Sequence, residues 1–371
     1  MIKLINRMAL VLVFAVAIGT IIIVLAFDKG KFVRLRRATV PMGLITGRPS
    51  GFRTELPSLS GATGWLNSGP LTAAELHGKV VLFDFWTYTC INWRRTLPYV
   101  RAWAEKYKDC GLVVIGVSTP EFSFEKNADN VGWATKAMNI GYPVAIDDNY
   151  AIWHVFHNEY WPALYFVDAQ GQIRHDQFGE GDYEQSEKTI QHLLTEAGAK
   201  NVPDGLVSVQ PSGAEVPADW GDLQSQENYV GYDRTEGFAS PGGAIRDRPS
   251  NYTAPRELAL NEWALSGSWI MQKEAASLDN AGGRIIYRFH ARDLHLVMGP
   301  VTPGNKVRFR VYIDGQPPGA AQGVDVDSKG NGIIREQRLY QLIRQQGPVV
   351  DREFEIEFLD PGAEAFSFTF G

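Results

Sequence analysis

Apolar and polar positions alternate between two rhythms along this chain. Over 80–98 a continuous apolar run (Val80, Val81, Leu82, Phe83) leads through Asp84 into Phe85 and Trp86. It breaks at Thr87-Tyr88-Thr89 and meets Cys90; Trp93, Leu97, Val100 and Trp103 then recur at spacings of three and four. That is the pattern of a buried strand, a turn and a helix, with a thiol at the helix N-terminus. Free N–H groups and the helix dipole there favour a thiolate, and the adjacent Arg94 and Arg95 are expected to add to the effect.

The same reading carries along the chain. Residues 65–67 read as a short strand and 71–76 as a Thr-capped helical turn. Strand 79–86 and helix 91–108 follow, then a β-branched strand at 112–117 and helical spacing over 123–139. A short strand at 142–146, a short helix at 150–156, a hairpin formed by 163–167 and 173–178, and a helix at 183–196 complete an α/β unit over 60–198. Residues 199–228 are polar, with Pro203, Pro211 and Pro217, and read as a linker. From 229 to 371 short apolar stretches are punctuated by Gly, Pro and Asn, and several alternate in period two, as in Arg308-Phe309-Arg310-Val311-Tyr312-Ile313. This predicts an all-β sandwich of jelly-roll type. Residues 338–344 fit helix or strand equally.

The N-terminus has a different texture. Residues 8–27 carry no charge, and twenty helical residues cover about 30 Å, one hydrocarbon core. A transmembrane anchor is expected over 1–28, with a cleaved signal segment as the rival, and a spacer over 29–59. The flanking charges (Lys3 and Arg7 before; Lys29, Lys31, Arg34, Arg36 and Arg37 after) place the large domains in the cytoplasm by the positive-inside rule.

Net charge is −6, and no basic stripe lies outside the N-terminal segment, which argues against nucleic-acid binding. Two cysteines in 371 residues exclude a disulfide scaffold. Cys110 lies beyond a helix roughly 26 Å long at ~1.5 Å per residue, too far from Cys90 for a bridge. His154 and His157 are a weak metal pair without further ligands, and 325–332 mimics a Ca²⁺ loop except for Lys329. No metal site and no cofactor are expected. Trp263, Trp269 and Tyr340 are candidates for a sugar platform, with core packing the stronger reading for at least two of them. Asn251-Tyr252-Thr253 is a sequon.

The strand, the Trp-rich turn, Cys90 at the helix start, Pro98 eight residues on and Trp161-Pro162 before a strand together resemble the thioredoxin-like active site. The segment 119–150 resembles the membrane-tethered TlpA-like, peroxiredoxin-related branch. The runs DFWTYTCIN and YWPALYFVD and the tail FSFTFG resemble the DipZ-type proteins, in which a thioredoxin domain precedes a carbohydrate-binding-module-like sandwich. The resemblance implies a thioredoxin fold and thiol–disulfide exchange with protein or small-molecule thiols. It also implies a membrane electron donor and domains facing the periplasm from a single-pass anchor in the cytoplasmic membrane; it says little about a ligand of the sandwich, for which the aromatics named above make a glycan the candidate partner. That orientation is opposite to the one the flanking charges give.

By the same resemblance Cys90 is the nucleophile, Asp84 a buried acid assisting proton transfer and Pro162 a cis-proline. Trp86, Trp93 and Trp161 then surround the substrate. The family pattern has a resolving cysteine where this chain has Trp93. Two readings therefore stand: a monothiol oxidoreductase or isomerase acting through Cys90, and a redox-inactive binding module that keeps the peptide groove.

Overall fold

A computed structural model describes residues 58–371. The expected span at 8–27 and nearly all of the spacer lie outside the described residues. Among the described residues no helix is long and apolar enough to cross a membrane.

The first part contains β1 (Gly64–Leu66), α1 (Ala73–Leu76), β2 (Val80–Trp86), α2 (Ile91–Tyr107), β3 (Leu112–Ser118), α3 (Ala128–Ala137), β4 (Val144–Ile146), α4 (Ala151–Val155), β5 (Ala163–Val167), β6 (Ile173–Phe178) and α5 (Tyr183–Glu196). The six strands form one sheet in the order β1-β4-β3-β2-β5-β6, with β2, β3 and β4 parallel and the others antiparallel to their neighbours. This is a thioredoxin-like α/β layer structure. Strand β2 is buried on both faces, which explains its unbroken apolar run. Val80, Leu82 and Trp86 pack with α2, α3 and α5, whereas Val81, Phe83 and Phe85 pack with Leu76, Ile152, Trp153 and Phe156. The period-two alternation therefore puts Asp84 on the α2 side.

Most expected elements are present. Thr72 caps α1 reciprocally with Glu75. The expected single helix over 123–139 is instead a 3₁₀ turn, Ser123–Lys126, followed by α3. Asn127 separates them because its side chain accepts the Asp129 N–H and starts the second helix afresh.

The second part is all β: β7 (Asn228–Tyr229), β8 (Ser250–Tyr252), β9 (Trp263–Met271), β10 (Ala276–Leu278), β11 (Arg284–Phe289), β12 (Asp293–Pro300), β13 (Val307–Ile313), β14 (Asn331–Ile334), β15 (Arg338–Arg344), β16 (Arg352–Phe358) and β17 (Ala363–Phe370). Residues 338–344 are thus a strand. Hydrogen bonding links these strands into one antiparallel sheet, β14-β13-β16-β11-β9-β10-β17-β12-β15, with β7 on β17 and β8 on β9. The two-sheet sandwich expected from the sequence is one continuous sheet, because β9 pairs with both β10 and β11. Its two wings share a core: Tyr287 and Phe289 on β11 contact Phe368 and Phe370 on β17, three strands away in the ladder. Trp263, Trp269 and Tyr340 are all buried in this part, so none offers a face to a sugar.

Strand β12 is buried at every position. Leu294, Leu296 and Met298 face the β core, while Val297, together with Leu339 and Phe366, joins the cluster of Trp93, Leu97, Phe122 and Phe124. The two domains therefore share one apolar cluster, which the polar look of 199–228 did not foretell. That segment runs along α2: Arg101 makes a bidentate pair with Glu215, and Lys106 donates to the Gly205 carbonyl.

Candidate functional site

Cys90 is the N-cap of α2 and is partly buried. Its Sγ donates to the Trp161 carbonyl at 3.8 Å, and the Trp161–Pro162 bond is cis. The Trp161 indole donates to Thr119 O at 3.1 Å and leans on Trp153. The end of β3, the start of α2 and the loop before β5 thus converge on one sulfur. Cys110 ends the turn after α2, at the opposite end of the helix, and both cysteines are free.

Position 93 is filled, not vacant. The Trp93 ring is fully buried and stacks on Trp86, with centroids 4.4 Å apart and 20° between planes. Its Nε1 donates to Asp84 Oδ2 at 3.1 Å, and Tyr142 Oη donates to the same oxygen at 3.2 Å. Gly116 on the neighbouring strand makes room for this stack, since a Cβ there would lie 2.8 Å from Trp86 Nε1. Asp84 is wholly buried, and Oδ1 has no hydrogen-bond partner. Desolvation pushes its pKa to about 7, against the pull of the Trp93 and Tyr142 donors. No hydrogen bond joins Asp84 to Cys90; the acid holds the tryptophan.

The expected acidic thiol is not what the structure gives. Burial raises Cys90 well above the ordinary thiol range, and the charges of Glu227 and Glu121 raise it further. The Trp93 and Asn92 N–H groups at the helix start pull the other way and are outweighed. Arg94 and Arg95 do not help. The Arg95 guanidinium is buried against Glu180 Oε1 and the Phe370 carbonyl, both at 3.0 Å. Arg94 is surrounded by Arg338, Glu215, Asp325 and Arg101.

Three acids that sequence reasoning passed over organise the rim. Glu125 is buried and accepts the Thr89 hydroxyl at 2.7 Å and the N–H groups of Glu121 and Phe122; burial lifts its pKa to about 7. Glu121 accepts Tyr229 Oη and Arg234 Nη1 from the β domain. Glu227 lies two residues before Tyr229. Desolvation and the Glu121 charge hold its carboxyl above the ordinary range, although the residue as a whole stays open to solvent. Glu121 and Glu125 fall in the segment 119–150 already singled out. Glu227 had no local signal: it precedes β7, far along the chain from Cys90, and acts on the thiol through its charge.

The remaining candidates are accounted for structurally. Asp327 accepts the Lys329 and Asn331 N–H groups and the Asn331 side chain, a closed turn. Among the described residues no group of three or more His, Cys, Asp or Glu is placed to hold a metal ion.

Residues 54–176 match the family described as "AhpC/TSA family", and residues 225–371 match "Thioredoxin like C-terminal domain". The chain is 36% identical over 323 residues to Protein DipZ of Mycobacterium bovis, covering 85% of this chain and 42% of that protein. It is 32% identical over 145 residues to the thiol-disulfide oxidoreductase YkuV of Bacillus subtilis, covering 39% of this chain and 97% of that one. A solved "Thioredoxin-like Protein in the Oxidized Form" is 32% identical, covering 39% of this chain and 97% of its own, with a TM-score of 0.36. The chain thus spans less than half the length of the DipZ relative.

Proposed function

The chain belongs to the thioredoxin-like thiol–disulfide oxidoreductase family, with a thioredoxin-like C-terminal domain behind its redoxin domain, and on that premise we propose that it exchanges disulfides by a monothiol route through Cys90. The observation that carries this is the placement of one partly accessible thiol against the cis-Pro162 loop, with the position three residues on sealed by buried Trp93.

In this reading the Cys90 thiolate attacks one sulfur of a substrate disulfide. The substrate S–S bond breaks, the leaving sulfur takes the electron pair and then a proton, and a mixed disulfide remains. A second thiol, from solution or from a partner, attacks that mixed disulfide and releases Cys90. The N–H groups of Asn92 and Trp93 steady the thiolate, and Pro162 and Trp161 shape the substrate side; Trp86 and the Trp93 ring, expected around the substrate, are fully buried against each other and do not reach it. Asp84 acts as a positioning residue for Trp93. A high thiol pKa has two consequences: little thiolate is present to start the reaction, and Cys90 is a poor leaving group once the mixed disulfide forms. The mixed disulfide is then long-lived, which suits capture of a partner better than rapid turnover.

We further propose that 8–27 anchors the protein in the cytoplasmic membrane with its domains outside, supported by the uncharged apolar run and by the family resemblance. Protease accessibility of the β domain in intact cells tests this; protection would reverse the orientation.

The test of the chemistry is the alkylation rate of Cys90 against pH in a Cys110→Ser background, followed by mass detection of a mixed disulfide. The expected midpoint lies at or above the ~8.5 of a free thiol, with slow but stoichiometric adduct formation. A folded protein that never labels supports the second reading, a redox-inactive binding module. The upward-shifted thiol favours that reading. Cys90→Ser would then leave partner binding intact.

A further inference from the structure

Five consecutive residues, 121–125, lie between the β domain and the turn that leads into Cys90. Four of them are held from the β-domain side. Glu121 accepts the Tyr229 hydroxyl and Arg234 Nη1. The Phe122 and Phe124 rings pack on Phe366, with centroids 5.3 and 4.7 Å away. The Ser123 N–H donates to Glu274 Oε2 at 3.1 Å. Glu125 bonds on the other side. Its Oε1 accepts the Thr89 hydroxyl at 2.7 Å, and its Oε2 accepts the N–H groups of Glu121 and Phe122 at 2.8 and 3.0 Å. Thr89 is buried and directly precedes Cys90, whose N–H closes the turn on Thr87 O at 3.2 Å.

These contacts form a circuit round the sulfur. Cys90 Sγ donates to Trp161 O, and Trp161 Nε1 donates to Thr119 O. The chain runs from Thr119 to Glu121 and Phe122, and Glu125 joins their N–H groups back to Thr89.

We propose that Glu125 is a positioning residue for Cys90 and that the β domain acts on the thiol through it. With 121–125 gripped by the β domain, Glu125 holds Thr89, and Thr89 keeps Cys90 Sγ seated on the Trp161 carbonyl. The inference rests on the monothiol reading and adds the part the β domain plays in it. A carbonyl that accepts from the S–H favours the protonated thiol, and a pinned turn keeps the sulfur in its recess. Slack in the turn frees the sulfur toward water and makes the thiolate easier to form. The pinned arrangement slows small thiol reagents and reserves Cys90 for a partner that engages the loop before β5.

The experiment uses the full chain carrying Cys110→Ser and an uncharged probe, methyl methanethiosulfonate. The Cys90 thiolate attacks the sulfenyl sulfur, the new S–S bond forms, and methanesulfinate leaves with the electron pair of the broken bond. Removing a buried acid outright risks the fold, so the variants leave Glu125 in place. Thr89→Val deletes the hydroxyl and keeps the shape; Thr89→Ser restores the hydroxyl. Thr89→Val should react about threefold to tenfold faster than the parent at pH 7, the factor that one hydrogen bond is worth, with the pH midpoint of the reaction lowered. Thr89→Ser should keep the parent's rate and midpoint. Phe366→Ala, which loosens the grip on Phe122 and Phe124, should also speed the reaction. It should add little to Thr89→Val, because the two act on one path.

Urea unfolding of each variant gives its unfolded fraction, and a rate increase that this fraction accounts for overturns the inference. So does a Thr89→Val rate at or below the parent's, a Thr89→Ser rate equal to that of Thr89→Val, or a Phe366→Ala rate equal to the parent's. Rate factors for Thr89→Val and Phe366→Ala that multiply in the double variant overturn it as well, since the β domain would then act on Cys90 independently of Glu125. Each of these leaves monothiol exchange standing. A parent inert to the probe beside a reactive Thr89→Val upholds the positioning role and overturns monothiol exchange. Cys90 inert in every folded variant overturns both.

Discussion

Replacing Asp84 with asparagine should make this protein more stable at pH 8 than at pH 4 relative to the parent. Asp84 is wholly buried, and its folded-state pKa of about 7 stands roughly three units above its ordinary 3.8. At ~1.4 kcal/mol per unit the linkage is about 4 kcal/mol. The sign follows from which state holds the proton. Below the unfolded value both states are protonated and the stability is fully present. As pH rises the unfolded chain ionises while the folded one does not, so stability falls, and the loss is complete once pH has passed through about 7.

Asparagine has the same shape, can still accept from Trp93 and Tyr142, and does not titrate. Whatever fixed cost the amide brings at the unpartnered Oδ1 position is independent of pH. The measurement is urea unfolding of both proteins at several pH values from 4 to 8, followed by tryptophan fluorescence. The gap between variant and parent should widen with pH by most of that 4 kcal/mol. Glu125 titrates in the same window but is present in both proteins and cancels. A gap that stays constant to within about 1 kcal/mol would mean that Asp84 is already charged in the folded state, and the account of the Trp93–Asp84 lock would fail.

Three other outcomes follow from the same geometry. Trp93→Cys removes a fully buried ring stacked on Trp86 and should cost about 3–5 kcal/mol in unfolding free energy, while allowing a 90–93 disulfide detectable by thiol titration and raising disulfide-reductase turnover above the parent's. Arg95→Ala strands Glu180 and the Phe370 carbonyl; a loss of about 3–5 kcal/mol and faster proteolysis at the end of β17 are expected. Phe366→Ala empties the contact with Phe122 and Phe124 that joins the domains. Calorimetry should show the parent's single transition splitting in two, with a cost of about 3–5 kcal/mol.

Much of the fold was written locally. A both-faces-buried strand such as β2 and an alternating one such as β13 differ in sequence because their faces meet different surroundings, and each pattern was readable. The same holds for Cys90 at a helix start, for Pro98 inside that helix, and for Trp161-Pro162 ahead of β5: each is a short-range feature of the chain. The bent single sheet of the second domain was not legible, since alternation tells which face is buried and not which strand lies alongside.

What only the tertiary structure decided is the electrostatic state of the thiol. Sequence placed Cys90 at a helix N-terminus with two arginines beside it, and that local set argues for a thiolate. The fold turned Arg95 onto Glu180, left Arg94 in the field of Arg338 and Asp325, and buried Cys90 within reach of the negative charges of Glu227 and Glu121. Charge acts through space and burial through neighbours far along the chain, so the sign of a pKa shift is set by the packing of two domains. The composition of residues 90–95 names the nucleophile; the burial that the fold imposes on Cys90, ahead of any single charge, determines how it behaves.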